Sequence, residues 1–400
     1  MKILLTLHMH QPWRLARYRY LDLGSGKPYF DIPQNLEIFR RVADRSYRPT
    51  LARLQAIADR HPEFRLSLSM SGTFLEQAEL AAPDVLESIR SLVARRTAVL
   101  LGESYYHSMA FLLPPPELEE EVRSHLRRLA EVFRSHPRVM RMTELIFSDE
   151  IARFAGQLGF RAVLAEGWEG VLGARSPDYL YESASPGVRV IPRHYRLSDD
   201  IAFRFSDPGW SEHPLTAEKY AGWIARTPGD VVGLFLDFET FGEHQPASSG
   251  IFEFLEALPG AVSRHPSLRW ATVEDVLNDP LAGGFHSREP ISWADRGRDL
   301  GAWLGNDMQR SALDAARKVG TLVRLAGSPA LLQDWRRMLT SDHFYYMYVG
   351  GSPDDAAVHR YFSSYASPYD AYANYMNALS DLRRRCIAAI PRGDAAPGAH

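Results

Sequence analysis

Asp237-Phe238-Glu239-Thr240-Phe241-Gly242-Glu243-His244 follows the apolar run Val231-Val232-Gly233-Leu234-Phe235-Leu236. Two carboxylates two residues apart should therefore leave the end of a buried strand on the same side. Like charges crowded into a closed site raise one of the two pKa values, which is what a general acid at neutral pH requires. Glu144, within Arg141-Met142-Thr143-Glu144-Leu145-Ile146-Phe147, lies among apolar residues at the end of another strand. An ionised side chain there costs several kcal/mol unless it has partners. Either acid alone is explained by a helix cap or an arginine. Together they supply the carboxylate pair used to break a glycosidic bond, one attacking the sugar and the other protonating the leaving oxygen.

Other strand ends carry polar and aromatic groups. His8-Met9-His10-Gln11-Pro12 puts two histidines on one side of the first strand, and these imidazoles suit either hydrogen bonds to hydroxyls or a metal. A third ligand, from His107, Asp237 or His244, could join them only through the fold. Gly102-Glu103-Ser104-Tyr105-Tyr106-His107 combines a carboxylate, two rings and an imidazole, a mix able to stack on and hydrogen-bond to a pyranose or to brace a rim. Trp168, just past Glu166-Gly167, is a further candidate for sugar contact, as are Gln11 and His244. In Ser341-Asp342-His343-Phe344-Tyr345-Tyr346, core packing explains the rings but not the acid, which favours a substrate role for Asp342, with His343 beside it. Gly24-Ser25-Gly26-Lys27 lacks the spacing of a phosphate loop, and no Gly-x-Ser-x-Gly elbow occurs.

The elements that must position these residues are parallel strands joined by helices. Short apolar runs at 3–7, 65–70, 98–101, 139–143, 161–165, 188–191 and 231–236, with a rim strand at 269–271, alternate with amphipathic stretches, an α/β pattern. Helices are expected over 116–135 and 148–158, and from the capping box Thr272-Val273-Glu274-Asp275. In a parallel barrel the C-terminal strand ends share one face, so residues remote in sequence converge there. Beyond about residue 290 the pattern is helical: 293–304, 307–326, 329–338 and 367–390. The division expected is a catalytic domain over 1–285, a helical subdomain completing the cleft over 286–390, and a frayed tail over 391–400.

Bulk properties narrow the partners. With 46 basic and 49 acidic residues well mixed, the net charge of −3 creates no field for nucleic acid or anionic lipid, and a neutral ligand suits the 11% aromatic content. Cys386, the one cysteine, excludes an internal disulfide and fits a reducing compartment. No run approaches the roughly 20 apolar residues that span a bilayer, so a cytoplasmic protein is expected, with no membrane partner.

In order along the chain, His10-Gln11-Pro12, Gly102-Glu103-Ser104-Tyr105-Tyr106-His107, Thr143-Glu144-Leu145-Ile146-Phe147, Asp237-Phe238-Glu239-Thr240-Phe241-Gly242 and Thr340-Ser341-Asp342-His343-Phe344 resemble the five short motifs of glycoside hydrolase family 57, in its α-amylase-like branch. The resemblance implies a (β/α)7 barrel followed by a helical bundle, α-glucan substrates, retention of configuration and no metal or other cofactor in the chemistry. It makes Glu144 the nucleophile and Asp237 the acid/base, and places His10, His107, Glu239 and Asp342 along the donor subsite. The chain is shorter than the family's branching enzymes and lacks the β-rich domain of its glucanotransferases, so hydrolysis of α-1,4 links is the first expectation. A 4-α-glucanotransferase or branching enzyme with the same two acids is the alternative. From other classes, the rivals are a metal-dependent carbohydrate hydrolase, such as a deacetylase, holding an activated water on His8, His10 and Asp237, and a silent glucan-binding protein.

Overall fold

The computed structural model of the chain describes residues 1–350 and 363–391. These form two compact units. The first comprises Met1–Gln11, Pro33–His107 and Pro115–Asp299. The second comprises Pro12–Ile32, Ser108–Pro114 and the described residues from Leu300 onward. The first unit thus runs past the 285/286 boundary expected from the sequence, and two short early segments belong to the second. All but one residue of the tail expected over 391–400 lie outside the described residues.

The first unit is mixed α/β with parallel sheets. Its strands are β1 (Lys2–Met9), β2 (Leu66–Met70), β3 (Ala98–Leu100), β4 (Val139–Met140), β5 (Ala162–Glu166), β6 (Leu180–Glu182), β7 (Arg189–Arg193), β8 (Val231–Asp237), β9 (Phe241–Gly242), β10 (Gln245–Pro246), β11 (Arg269–Trp270) and β12 (Leu281–Gly284). In one sheet β1 pairs in parallel with β8, β2 and β11, and β2 with β3. In the other, β4, β5 and β7 run parallel in that order, and β6 joins β7 antiparallel. β1 is buried along nearly its whole length because both of its faces are covered. Ile3, Leu5, Leu7 and Met9 pack with helix residues such as Leu51, Leu54 and Ile57. Leu4 packs instead with Leu101, Val139, Leu164, Ile191 and Phe235, an inner cluster drawn from both sheets.

The hydrogen-bond ladders do not define the expected closed (β/α)7 barrel. At one junction a parallel bridge, Gly102 to Met140, joins the β3 and β4 ends. At the other, no ladder joins β7 to β8. His194 donates from its backbone N–H to Gly233 at 2.7 Å. Pro192, two residues earlier and so facing the same way, has no N–H to give. The β8 backbone is satisfied by side chains instead: the Arg193 Nε donates to the Phe235 carbonyl at 2.9 Å, and the Phe235 N–H donates to Ser198 Oγ at 3.2 Å. The two backbones approach so closely here that a Cβ on Gly233 would lie 2.3 Å from the Pro192 carbonyl oxygen.

The second unit contains helices Gly301–Leu304, Asp307–Ala326, Pro329–Met338, Ser341–Tyr345 and Pro368–Ala389. Asn306 and Gln309 form a reciprocal capping box at the start of Asp307–Ala326, and Gly327 closes it at φ 63°. The segment 12–32 is tied to the last helix, with the Tyr29 hydroxyl donating to Asp381 at 2.7 Å. Two expected helices differ. Only Gly301–Leu304 of the stretch 293–304 is helical, because Trp293 and its neighbours pair with other backbone, as described below. Thr272 and Asp275 do exchange capping bonds, but turns follow, since Pro280 leaves too little length for a helix. Among the described residues no helix is long and apolar enough to cross a membrane.

Candidate active site

The two-residue period of each strand carries the inner apolar line of the first unit into a polar end. Leu4 and Thr6 lead to His8; Val99 and Leu101 lead to Glu103; Val139 leads to Arg141; Ala162 and Leu164 lead to Glu166; Ile191 leads to Arg193; Val231 and Phe235 lead to Asp237. Because β1 and β8 are paired in register, His8 stands directly beside Asp237. Its Nδ1 lies 3.7 Å from Asp237 Oδ1, and its Nε2 lies 3.1 Å from Glu103 Oε2.

Glu103 is fully buried and sits at the centre of an ion cluster. Besides His8, it faces His107 Nδ1 at 3.7 Å and Arg141 Nη1 at 3.8 Å. Burial alone would raise its pKa, but the fields and hydrogen bonds of His8 and His107 hold it well below the usual carboxylate range. His125 fixes its backbone: Nε2 donates to the Met70 carbonyl at 2.8 Å, leaving Nδ1 to accept from the Glu103 N–H at 3.1 Å. Burial keeps that imidazole neutral by lowering its pKa. His107 Nε2 lies 3.3 Å from Glu144 Oε1. Burial opposes charge on His107, yet Glu103 and Glu144 outweigh it and push its pKa to about 9, so it is an imidazolium at neutral pH. Glu144 and Asp237 are thereby joined through His107, Glu103 and His8.

Glu144 adopts φ 55° and ψ 28°, Leu145 follows at φ 50°, and His107 has φ 50°. Left-handed backbone at residues other than glycine costs about 1–3 kcal/mol each and persists only where surroundings impose it. At Glu144 and Leu145 antiparallel pairing accompanies it: Phe147 and Ile291 exchange two backbone hydrogen bonds of 2.9 Å, and the Trp293 N–H reaches the Glu144 carbonyl at 3.3 Å. The Trp293 indole then donates to Glu144 Oε2 at 2.8 Å.

Of the pair Asp237 and Glu239, it is Glu239 that carries the raised pKa. Phe238–Thr240 is a 3-10 turn, which buries Glu239 to 7% exposure while Asp237 keeps 38% of its side chain open. Burial and the charge of Asp237 push Glu239 up to about 8, against the hydrogen bond from Tyr47. Tyr47 in turn accepts from Gln11 Nε2 at 3.2 Å. For Asp237, burial acts upward, but His8, His244 and Arg141 lower its pKa overall. The pair therefore holds one proton at neutral pH, on Glu239.

The structure brings His8, Gln11, Glu103, His107, Glu144, Asp237, Glu239 and His244 into this connected set. His10 Nδ1 lies 2.7 Å from Ser71 Oγ, and its ring is 4.3 Å from that of His107. Trp168 follows the C-terminal end of β5 and its ring lies over Gly170. Asp342 and His343 belong to the second unit, where the Tyr346 hydroxyl is 3.5 Å from Asp342 and the His343 ring lies 6.0 Å from that of Tyr375. Sequence reasoning missed Arg141, His125, Tyr47 and Trp293. An arginine inside an apolar run was a usable signal for the first; nothing in spacing marked the others.

Among the described residues one group could hold a metal: His8, Glu103 and His107 offer ligand atoms within 4.8 Å of one another. They are not the His8, His10 and Asp237 set considered from the sequence. An ion there would have to displace the proton that Glu103 and Glu144 hold on His107 and would face the Arg141 guanidinium, which already lies against Glu103.

A model of glycosyl hydrolase family 57 matches residues 4–288, and the chain belongs to that family. A Methanocaldococcus jannaschii protein with a provisional α-amylase name is 38% identical over 395 residues, covering 96% of this chain and 84% of that one. A 4-α-glucanotransferase of Thermococcus litoralis is 23% identical over 250 residues, which are 60% of this chain and 36% of the enzyme. Among solved structures, a branching enzyme of this family from Pyrococcus horikoshii superposes with a TM-score of 0.69 at 14% identity, covering 95% of this chain and 88% of that one. That likeness establishes fold. Family membership makes the protein a glycoside hydrolase.

Proposed function

We propose that the protein cleaves α-1,4 links of α-glucans with retention of configuration, using Glu144 as nucleophile and Asp237 as general acid/base. The observation that carries this reading is the buried His107-Glu103-His8 connection, which links two carboxylates remote in sequence through successive contacts of 3.3, 3.7, 3.1 and 3.7 Å. The α-amylase name of the relative that covers most of the chain supports the substrate class. In the first step a Glu144 oxygen attacks the anomeric carbon as Asp237 gives its proton to the leaving oxygen; in the second Asp237 takes a proton from water, which displaces Glu144. Asp237 must be protonated to begin. A sugar seated over its exposed carboxylate removes water from it and shifts the pair's proton from Glu239 towards Asp237.

Transfer to a sugar hydroxyl uses the same groups, and the glucanotransferase and branching-enzyme relatives favour it as the second reading. Digestion of a defined maltoheptaose decides. Shorter sugars released in the α-configuration, with rates indifferent to a chelator, support hydrolysis without metal. A ladder above the starting length indicates transfer, and loss of activity on chelation points to the metal-dependent rival.

A further inference from the structure

We propose that Trp293 is the positioning residue for the nucleophile: its indole N–H holds Glu144 in one rotamer, while a buried ion cluster around Arg298 holds Trp293. This rests on Glu144 being the nucleophile. Trp293 lies beyond the residues matched by the family model, which end at 288, and outside the five motifs.

The support for Trp293 is layered. Register comes first: the bonds between Phe147 and Ile291, and from the Trp293 N–H to the Glu144 carbonyl, set the two segments side by side. The loop that follows is closed on itself, with the Ser292 N–H donating to the Arg298 carbonyl at 3.0 Å and Ser292 Oγ donating to the Asp299 carbonyl at 2.7 Å. Arg298 then donates from Nη1 to the Trp293 carbonyl and to Glu166 Oε2, the latter at 3.2 Å. Glu166 also accepts from Arg193 Nη1 at 3.1 Å, and Arg193 Nη2 donates to Asp199 at 2.6 Å. Two guanidiniums lie near the indole ring, Arg141 at 4.8 Å and Arg193 at 5.6 Å from its centroid.

Several charges are thus kept out of water beside a ring whose one polar atom points at Glu144. An indole N–H suits the task because it is a donor only and does not titrate over the working pH range. It stabilises the carboxylate as an anion and fixes the oxygen it binds, whereas a histidine there would gain or lose a proton with pH.

The test is the pH profile of kcat/KM on α-maltosyl fluoride, whose leaving group needs no proton, so the acid limb reports the nucleophile. Trp293→Phe keeps most of the ring and removes the N–H. The limb should move upward by about one pH unit, with a loss of about tenfold or more on its acid side and a smaller loss at high pH. Arg298→Met should shift it the same way by less. A purely structural role for Trp293 would lower the whole profile without moving the limb, and that result overturns the proposal. Should Trp293→Phe fail to fold, Glu144→Gln leaves the indole in place: one of the eight tryptophan indole resonances should then move upfield, and no movement overturns the proposal. Glu144→Ala run in parallel separates the two claims. If it retains turnover, the nucleophile assignment fails; if it is inactive while the Trp293→Phe limb stays put, only the role of Trp293 falls.

Discussion

Replacing Glu239 with Gln tests the state of the Asp237 and Glu239 pair. The Glu239 carboxyl is raised from 4.5 to about 8 in the folded protein, so between those values the native state holds a proton that the unfolded chain has released. Its contribution to stability is fully present below pH 4.5 and is lost progressively as pH rises to about 8. The shift of some three and a half units corresponds to about 5 kcal/mol across that window. Gln is the uncharged isostere of the protonated side chain and carries no such pH dependence. Thermal melts of wild type and Glu239→Gln every half unit from pH 4.5 to 9 should therefore diverge, with the variant gaining on the wild type as pH rises. At roughly 2 °C per kcal/mol for a chain of this size, the relative gain is about 10 °C. Other raised carboxyls, such as Asp178, bend both curves alike and cancel in the difference. Parallel curves would refute a neutral Glu239 and remove the proton source assigned to Asp237.

Two further outcomes follow from the same geometry. His107 is raised from 6.5 to about 9, so it stabilises the fold fully below pH 6.5 and ceases to as pH passes 9; the activity of wild type should fall over that upper range, and in His107→Gln the fall near pH 9 should disappear from an already weakened profile. Gly233→Ala would set a methyl carbon against the Pro192 carbonyl, so β7 and β8 must part, at a cost of about 1–3 kcal/mol or more, seen as a lowered melting temperature without a specific loss of the pH optimum.

The strands were legible because burial on both faces leaves apolar runs that few other elements produce, and because the two-residue period places the last polar residue of each run on a known side. His8, Glu103 and Asp237 come together for that reason. Barrel closure was not legible, since it turns on a single missing N–H at Pro192 and on the side chains of Arg193 and Ser198 that replace the ladder. Trp293 was hidden because it opens an amphipathic-looking stretch that reads as a helix, whereas pairing with residues 144–147 decides its conformation. His125 and Tyr47 sit on helix faces whose polar positions look solvent-facing in one dimension. The raised pKa of the 237/239 pair fell on Glu239 because the 3-10 turn buries that residue and leaves Asp237 open, a difference no two-residue spacing encodes.

The division of labour between Glu144 and Asp237 is tested most directly by azide rescue on α-maltosyl fluoride. Glu144→Ala should lose several orders of magnitude and regain turnover with azide, giving the β-maltosyl azide, because the anion enters the face that the carboxylate has vacated. Asp237→Ala should give only the α-azide, formed through an intact glycosyl-enzyme. Near-normal turnover in Glu144→Ala, or the same azide anomer from both variants, would contradict the assignment.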